Sequence, residues 1–219
     1  MEPIKVLYED NHLIAVYKPA GILVQGDKSG DISLLDEVRT YIKKKYDKPG
    51  NVFVGLVHRL DRNVDGIVLF AKTSKGASRV SEQIREHTVK KTYHAWVHGT
   101  PKDSQATLVH FLVHNESNNL SEIFDTEKPN SQKAELSYEL IKTEGEFSLL
   151  KVNLKTGRHH QIRAQLSHIG HSIVGDIKYG SSVQLPEQKL ALTATSLSFK
   201  TATGDIQKEL NLEAPSKSW

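Results

Sequence analysis

Hydrophobic positions change period several times along the chain, and each change marks an element. Ile67 to Ala71 is a continuous apolar run, too short for a lone helix and rich in β-formers, so it predicts a strand buried on both faces. Upstream, Leu34, Leu35, Val38, Tyr41 and Ile42 recur at helical spacing after Ser33, which can serve as N-cap, and Lys48-Pro49-Gly50-Asn51 ends that helix. Ser74 can cap a second helix with Ala77, Val80 and Ile84 facing inward. A third, short helix has Ile162, Leu166 and Ile169 as its predicted buried stripe.

Elsewhere the period is two. From Val89 the residues Val89, Lys91, Tyr93, Ala95 and Val97 share one side of a strand, and Lys90, Thr92, His94 and Trp96 share the other. Strand character also covers Val6 to Glu9, His12 to Tyr17, Ala106 to Val113, Ser121 to Asp125, Ala134 to Lys142, Phe147 to Leu154, Leu190 to Phe199 and Glu209 to Leu212. Asn115 to Asn119 and Glu127 to Gln132 are polar loops too short to link domains. The pattern predicts an α+β protein with a large, mixed, mostly antiparallel sheet flanked by helices, organised as a single domain over 1–219.

Composition narrows the function classes only a little. With 219 residues and 37% hydrophobic content, the chain can bury one good-sized core. No apolar run approaches the roughly 20 residues of a membrane-spanning helix, and Met1 to Val6 lacks the pattern of a secretory signal, so a cytoplasmic protein is expected. The absence of cysteine excludes disulfides, thiolate zinc sites and cysteine nucleophiles. A net charge of +3 permits a polyanionic partner without demanding one. Of the cation clusters, Lys43-Lys44-Lys45 reads as a solvated helix face, while Lys90-Lys91 and Arg158-His159-His160 adjoin more informative residues.

Two stretches carry chemistry. The first, Val57 to Thr73, gathers His58, Arg59, Asp61, Arg62 and Asp65 at the entrance to the buried strand, where ionisable groups cost stability unless they pair or react. Taken alone, the stretch is equally well read as a charged loop in which Arg59 and Asp61 neutralise each other. The second, Leu154 to Gly180, passes from a strand end through a glycine into the third helix. Arg163 there sits about 100° round from Ile162, at the margin of the apolar face. His159, His160, His168 and His171 raise a metal site as an alternative, since imidazole is a common ligand. Only His160 and His168 are spaced near whole turns and no carboxylate is interleaved, so contacts to phosphate or backbone fit better and no metal is expected.

The two stretches together resemble the RluA-type pseudouridine synthases. H-R-L-D with its loop, glycine and apolar strand ending Ala71-Lys72-Thr73 resembles the first motif of that family; G-R-x-H-Q-I-R and I-G-H-x-I-x-G-D-x-x-Y-G resemble the later one. Lys91-Thr92-Tyr93 is similar to the family's K-x-Y, and Tyr8 to Gly21 to its opening block. The resemblance implies that Asp61 is the catalytic residue, that Tyr93 stacks on the target base and that Arg163 matches the last arginine of the second motif. It departs in having Val64-Asp65 where Thr-Ser is usual and Ser172 where proline is frequent. The S4-type RNA-binding domain of many relatives is not expected.

The implied activity is isomerisation of uridines in ribosomal or transfer RNA to pseudouridine, by a monomer that needs no cofactor. Such an enzyme needs an ionised carboxylate near the sugar, and burial disfavours the charged form unless a cation offsets it. Arg163 suits that part, and Arg59 suits the space left by an everted base. Two other classes compete: an RNA-binding protein of the same fold without activity, and a carboxylate hydrolase using Asp61 and Asp65 as a pair.

Overall fold

The computed structural model describes residues 4–28, 30–217 and 219. In chain order the strands and helices are β1 (Val6–Glu9), β2 (Leu13–Lys18), α1 (Leu34–Lys45), β3 (Gly55–Leu56), β4 (Asp65–Ala71), α2 (Ser74–Arg85), β5 (Lys90–His98) and β6 (Gln105–Asn115). They continue with β7 (Leu120–Phe124), β8 (Gln132–Glu144), β9 (Phe147–Leu154), α3 (Gln161–His168), β10 (Leu192–Lys200) and β11 (Gln207–Asn211). The strands belong to one large, mostly antiparallel sheet, the α+β class that the hydrophobic pattern predicts. The chain divides into two compact units, Met1–Val89 with Ser196–Leu212 and Lys90–Thr195 with Glu213–Trp219, so β10 contributes residues to both. No helix among the described residues is long and apolar enough to cross a membrane.

In the first unit β2 lies between β1 and β4, antiparallel to both, with Leu13 opposite Ala71 and Lys18 opposite Gly66. All seven residues of β4 are buried, as the uninterrupted apolar run requires, but the strand begins two residues earlier than Ile67 and includes Asp65. Leu13, Ala15, Ile67, Leu69, Ala71, Val80, Val89, Leu197 and Phe199 form the core. Ser33 caps α1 in a reciprocal capping box with Asp36. Thr73 rather than Ser74 caps α2, its hydroxyl accepting from the Gly76 N–H at 3.1 Å. Gly76 is required by close approach, since a Cβ there would meet the His12 carbonyl oxygen at 2.5 Å.

The lysine triplet of α1 is only partly the solvated face expected of it. Lys45 donates to Glu9 at 2.6 Å, as does the buried Lys72 from the end of β4. Burial alone would raise the pKa of Glu9, but bonds from Lys45, Lys72 and Tyr46 outweigh it and bring the carboxyl down to about 2.

In the second unit the strand order is β5, β9, β8, β6, β7, each pair antiparallel. Gly145, at φ 63°, turns β8 into β9. Trp96 is fully buried and its indole donates to the Pro215 carbonyl at 3.0 Å. Helix α3 buries more than the predicted stripe: Gln161, Ile162, Arg163, Ala164, Gln165 and Leu166 are all buried, while Ile169 at its C-cap is half exposed. Three polar side chains inside a short helix demand partners, and their partners define the second chemical region.

Candidate active site

The loop carrying Asp61 joins β3 to β4 and is anchored by the buried side chains of Leu60 and Val64. Its shape is held from β2. Lys18 is fully buried, and its ammonium donates to the carbonyls of Pro19, Ile22 and Arg62 at 3.0, 2.9 and 2.9 Å, using all three N–H bonds. Burial pushes this amine down to about 8, against the upward pull of Asp65 and Asp61. The Gly21 N–H reaches the same Arg62 carbonyl at 2.8 Å, and the Arg62 guanidinium returns to the Gly21 carbonyl and to Asp31. Arg62 is therefore a brace between two loops.

His58 and Asp65 also have architectural work. His58 Nε2 accepts from the Leu69 N–H at 2.9 Å, which leaves the proton of the neutral ring on Nδ1. Asp65 is buried in β4, and its carboxylate accepts from the Tyr17 hydroxyl at 2.9 Å. It is the strongest charge partner of Lys18, so the aspartate standing in the usual serine position compensates a buried cation. Asp61 itself is half-buried and Arg59 is exposed.

In the second unit Tyr93 is buried in β5 opposite Val152. Lys91, two residues before it, is partly buried, and that burial lowers its pKa. Arg163 forms a two-pronged pair with Asp176, Nε to Oδ2 at 2.7 Å and Nη2 to Oδ1 at 2.8 Å, with Asp176 1% exposed. The guanidinium lies 5.0 Å from the centre of the Tyr179 ring. Asp176 and Tyr179 were missed as site residues by sequence reasoning. A buried arginine needs a carboxylate, and the G-D-x-x-Y-G string supplies one, so the signal was present.

A chain of amides fixes the other side of α3. Gln161 Oε1 accepts from Thr156 and from the Arg158 N–H, and Gln161 Nε2 donates to Gln165 Oε1 at 3.0 Å. Gln165 Nε2 then faces the carbonyls of Leu108 and Ala134 and, at 3.0 Å, His110 Nδ1. Because Gln165 can only donate there, His110 Nδ1 is an acceptor and the proton of the neutral ring sits on Nε2.

That assignment bears on the metal alternative. His110, Asp125 and His168 bring ligand-type atoms within 4.8 Å of one another, a grouping different from the His160–His168 pairing weighed from spacing. A metal at His110 Nε2 would have to displace the proton that the amide chain puts there. Within the cluster His168 Nε2 lies 2.8 Å from Asp125 Oδ1, at hydrogen-bond distance. Among the remaining histidines, His171 donates from Nδ1 to the His98 carbonyl at 2.9 Å, a backbone contact of the expected kind. His159 meets Ser121 Oγ, and His160 meets the Tyr179 hydroxyl.

The fold is shared with solved pseudouridylate synthases. Human RNA Pseudouridylate Synthase Domain Containing 4 matches with a TM-score of 0.79 over 96% of this chain and 88% of that one, at 22% identity. Residues 12–168 match the RNA pseudouridylate synthase family model, and the chain belongs to that family. It is 31% identical over 218 residues to Ribosomal large subunit pseudouridine synthase C of Vibrio parahaemolyticus, covering 97% of this chain and 66% of that protein. It is 32% identical over 215 residues to tRNA pseudouridine synthase C of Vibrio cholerae, covering 90% of this chain and 85% of that protein. The chain thus spans slightly under two thirds of the first relative's length.

Proposed function

We propose that the chain isomerises uridine to pseudouridine in RNA, with Asp61 as the catalytic carboxylate, and that residues 1–219 act as one catalytic unit in the cytoplasm. The observation that carries this reading is the loop of Asp61: a fully buried lysine donates to the Arg62 carbonyl of that loop and to the Pro19 and Ile22 carbonyls of the loop after β2, tying the two together. Membership of the family makes uridine the target.

In the reaction the bond between uracil N1 and ribose C1′ breaks, the base turns, and C5 bonds to C1′. The proton of C5 is released and N1 gains one, so atoms balance without a redox partner or metal. Asp61 acts at the sugar, either adding to C1′ or removing a sugar proton. Tyr93 is the platform under the base; stacking on an aromatic ring is worth roughly 1–3 kcal/mol and offsets the cost of taking the base out of its helix. Arg59 fills the vacated space, and Arg163 supplies positive charge to the reaction in addition to its pairing with Asp176. The substrate is ribosomal or transfer RNA.

The hydrolase alternative loses support because Asp65, its second carboxylate, is buried in a strand and engaged by Tyr17. Incubation with unmodified cellular RNA followed by mass analysis of nucleosides tests the proposal. Pseudouridine is the expected product; released base or sugar would establish a hydrolase, and binding without product an inactive RNA-binding protein.

A further inference from the structure

Three imidazoles stack in the second unit, the innermost beside Tyr179 and the outermost outside every role given above. The ring of His114, the penultimate residue of β6, lies 3.9 Å from that of His159, tilted by 35°. His159 lies 3.8 Å from its neighbour His160 at 27°. Side chains of adjacent residues normally diverge. Here His160 takes a left-handed backbone, φ 50° and ψ 23°, uncommon for a residue with a Cβ, and this turns the two rings face to face.

The inner rings are fixed by hydrogen bonds. The Ser121 hydroxyl donates to the His159 carbonyl at 2.6 Å and lies 3.1 Å from His159 Nδ1. His160 Nδ1 is 3.1 Å from the Tyr179 hydroxyl, which accepts from the Ser121 N–H at 2.8 Å. His114 is the outer member and is exposed. Asn119, itself at φ 52°, puts its amide oxygen 3.3 Å from His114 Nε2 and pins the ring's edge.

The surroundings of the stack combine a guanidinium, carboxylates and neutral polar groups. In the β6–β7 ladder His114 pairs with Ser121 and Leu112 with Ile123, so these four share the face turned to α3. Glu122 points to the opposite face, where it is engaged by the Asn115 amide at 2.9 Å. Arg158 precedes the stack and is positioned by its bond to the Lys133 carbonyl. The hairpin tip beside His114 is Glu116-Ser117-Asn118-Asn119, a carboxylate followed by neutral residues rich in donors and acceptors.

We propose that the outer face of His114 ends a rigid stacking platform that takes an unpaired base of the RNA substrate other than the target uridine. Every nucleobase has a face to offer, so such a platform tolerates sequence while adding affinity. The inference rests on the RNA-modifying function proposed above and adds a second contact for the same substrate.

The test compares His114→Ala and His114→Phe with the wild-type chain, at one salt concentration because phosphate contacts are salt-dependent. Unmodified transcripts of large-subunit ribosomal RNA and of transfer RNA serve as probes. Dissociation constants, KM, kcat and thermal midpoints are measured. On the transcript that the wild type binds more tightly, His114→Ala should weaken binding about 5- to 150-fold, the equivalent of one stacked base. It should raise KM with kcat unchanged, and His114→Phe should restore affinity because it keeps the ring and loses only the bond to Asn119. Wild-type affinity in His114→Ala, or failure of His114→Phe to restore it, would overturn the platform, whatever the thermal midpoints. Pseudouridine formation is read separately: an affinity pattern as expected without product overturns the isomerase reading and leaves the platform standing. A wild-type chain that binds neither transcript overturns both.

Discussion

The loop of Asp61 and the surroundings of Arg163 solve one problem, keeping a charged group in place, by opposite means. Around Asp61 much of the positioning is done through the backbone: Lys18 grips the Arg62 carbonyl together with two carbonyls of the loop after β2, and the side chains of Leu60, Val64 and Arg62 add to that anchoring. Around Arg163 it is done side chain to side chain, with a two-pronged carboxylate, a ring beneath and an amide chain along the helix. The difference teaches where substitutions will be felt. A loop held partly by its backbone tolerates new side chains at positions other than those that anchor it, whereas a helix held by its side chains does not tolerate loss of any of them.

The sharpest test of this contrast is Asp61→Asn. The amide is nearly isosteric and the loop is held by backbone, so we expect pseudouridine formation to vanish while RNA affinity and thermal midpoint stay close to wild type. Near-wild-type turnover would remove Asp61 from the reaction. Next come Arg163→Ala and Lys18→Met, each of which strips a buried carboxylate of its cation and should cost roughly 3–5 kcal/mol in urea unfolding. Arg163→Lys should recover only part of that, because lysine keeps the charge without the planar fork. If Lys18→Met proved as stable as wild type, the backbone clamp would be incidental.

A smaller effect is expected for Asp65→Ser, which removes the acceptor of Tyr17 and the main compensating charge of Lys18. Loss of a charged hydrogen bond of this kind costs about 1.5–3 kcal/mol, visible as a lowered thermal midpoint, while turnover below that midpoint stays largely intact. Collapse of turnover with unchanged stability would instead place Asp65 in the reaction. At the bottom of the scale, chelators should change neither activity nor the midpoint, because the His110 proton occupies the position a metal would need. Loss of activity with EDTA and its return with zinc would break that account.

Much of this was legible in the residues. The buried strand at Ile67–Ala71 announces itself by an apolar run, the start of α1 by Ser33 ahead of residues at helical spacing, and the hairpin of β8 and β9 by Glu144-Gly145-Glu146. The illegible parts share one cause: they depend on which polar side chains the fold removes from water. Nothing in the pattern of β2 says that Lys18, its last residue, is fully buried. Periodicity also marks apolar stripes only, so it passed over Gln161 and Gln165 and put Arg163 at the margin of the stripe, whereas all three are buried because partners from other elements meet them there. The His110, Asp125 and His168 grouping joins residues from β6, the end of β7 and α3, a proximity created by strand order rather than by spacing in the chain.

The discontinuity of the first unit has a consequence for biosynthesis. Its core includes Leu197 and Phe199, which a ribosome makes only after every residue from Lys90 to Thr195 has been added. At roughly 5–20 residues per second, that interval lasts on the order of 5–20 s. During it the β1, β2 and β4 segments and the helices beside them have been made without the last pieces of their interior. The second unit waits as well, since the Pro215 carbonyl that receives the Trp96 indole is made after Phe199, so on an elongating chain neither unit has all of its parts until the last residues have been added.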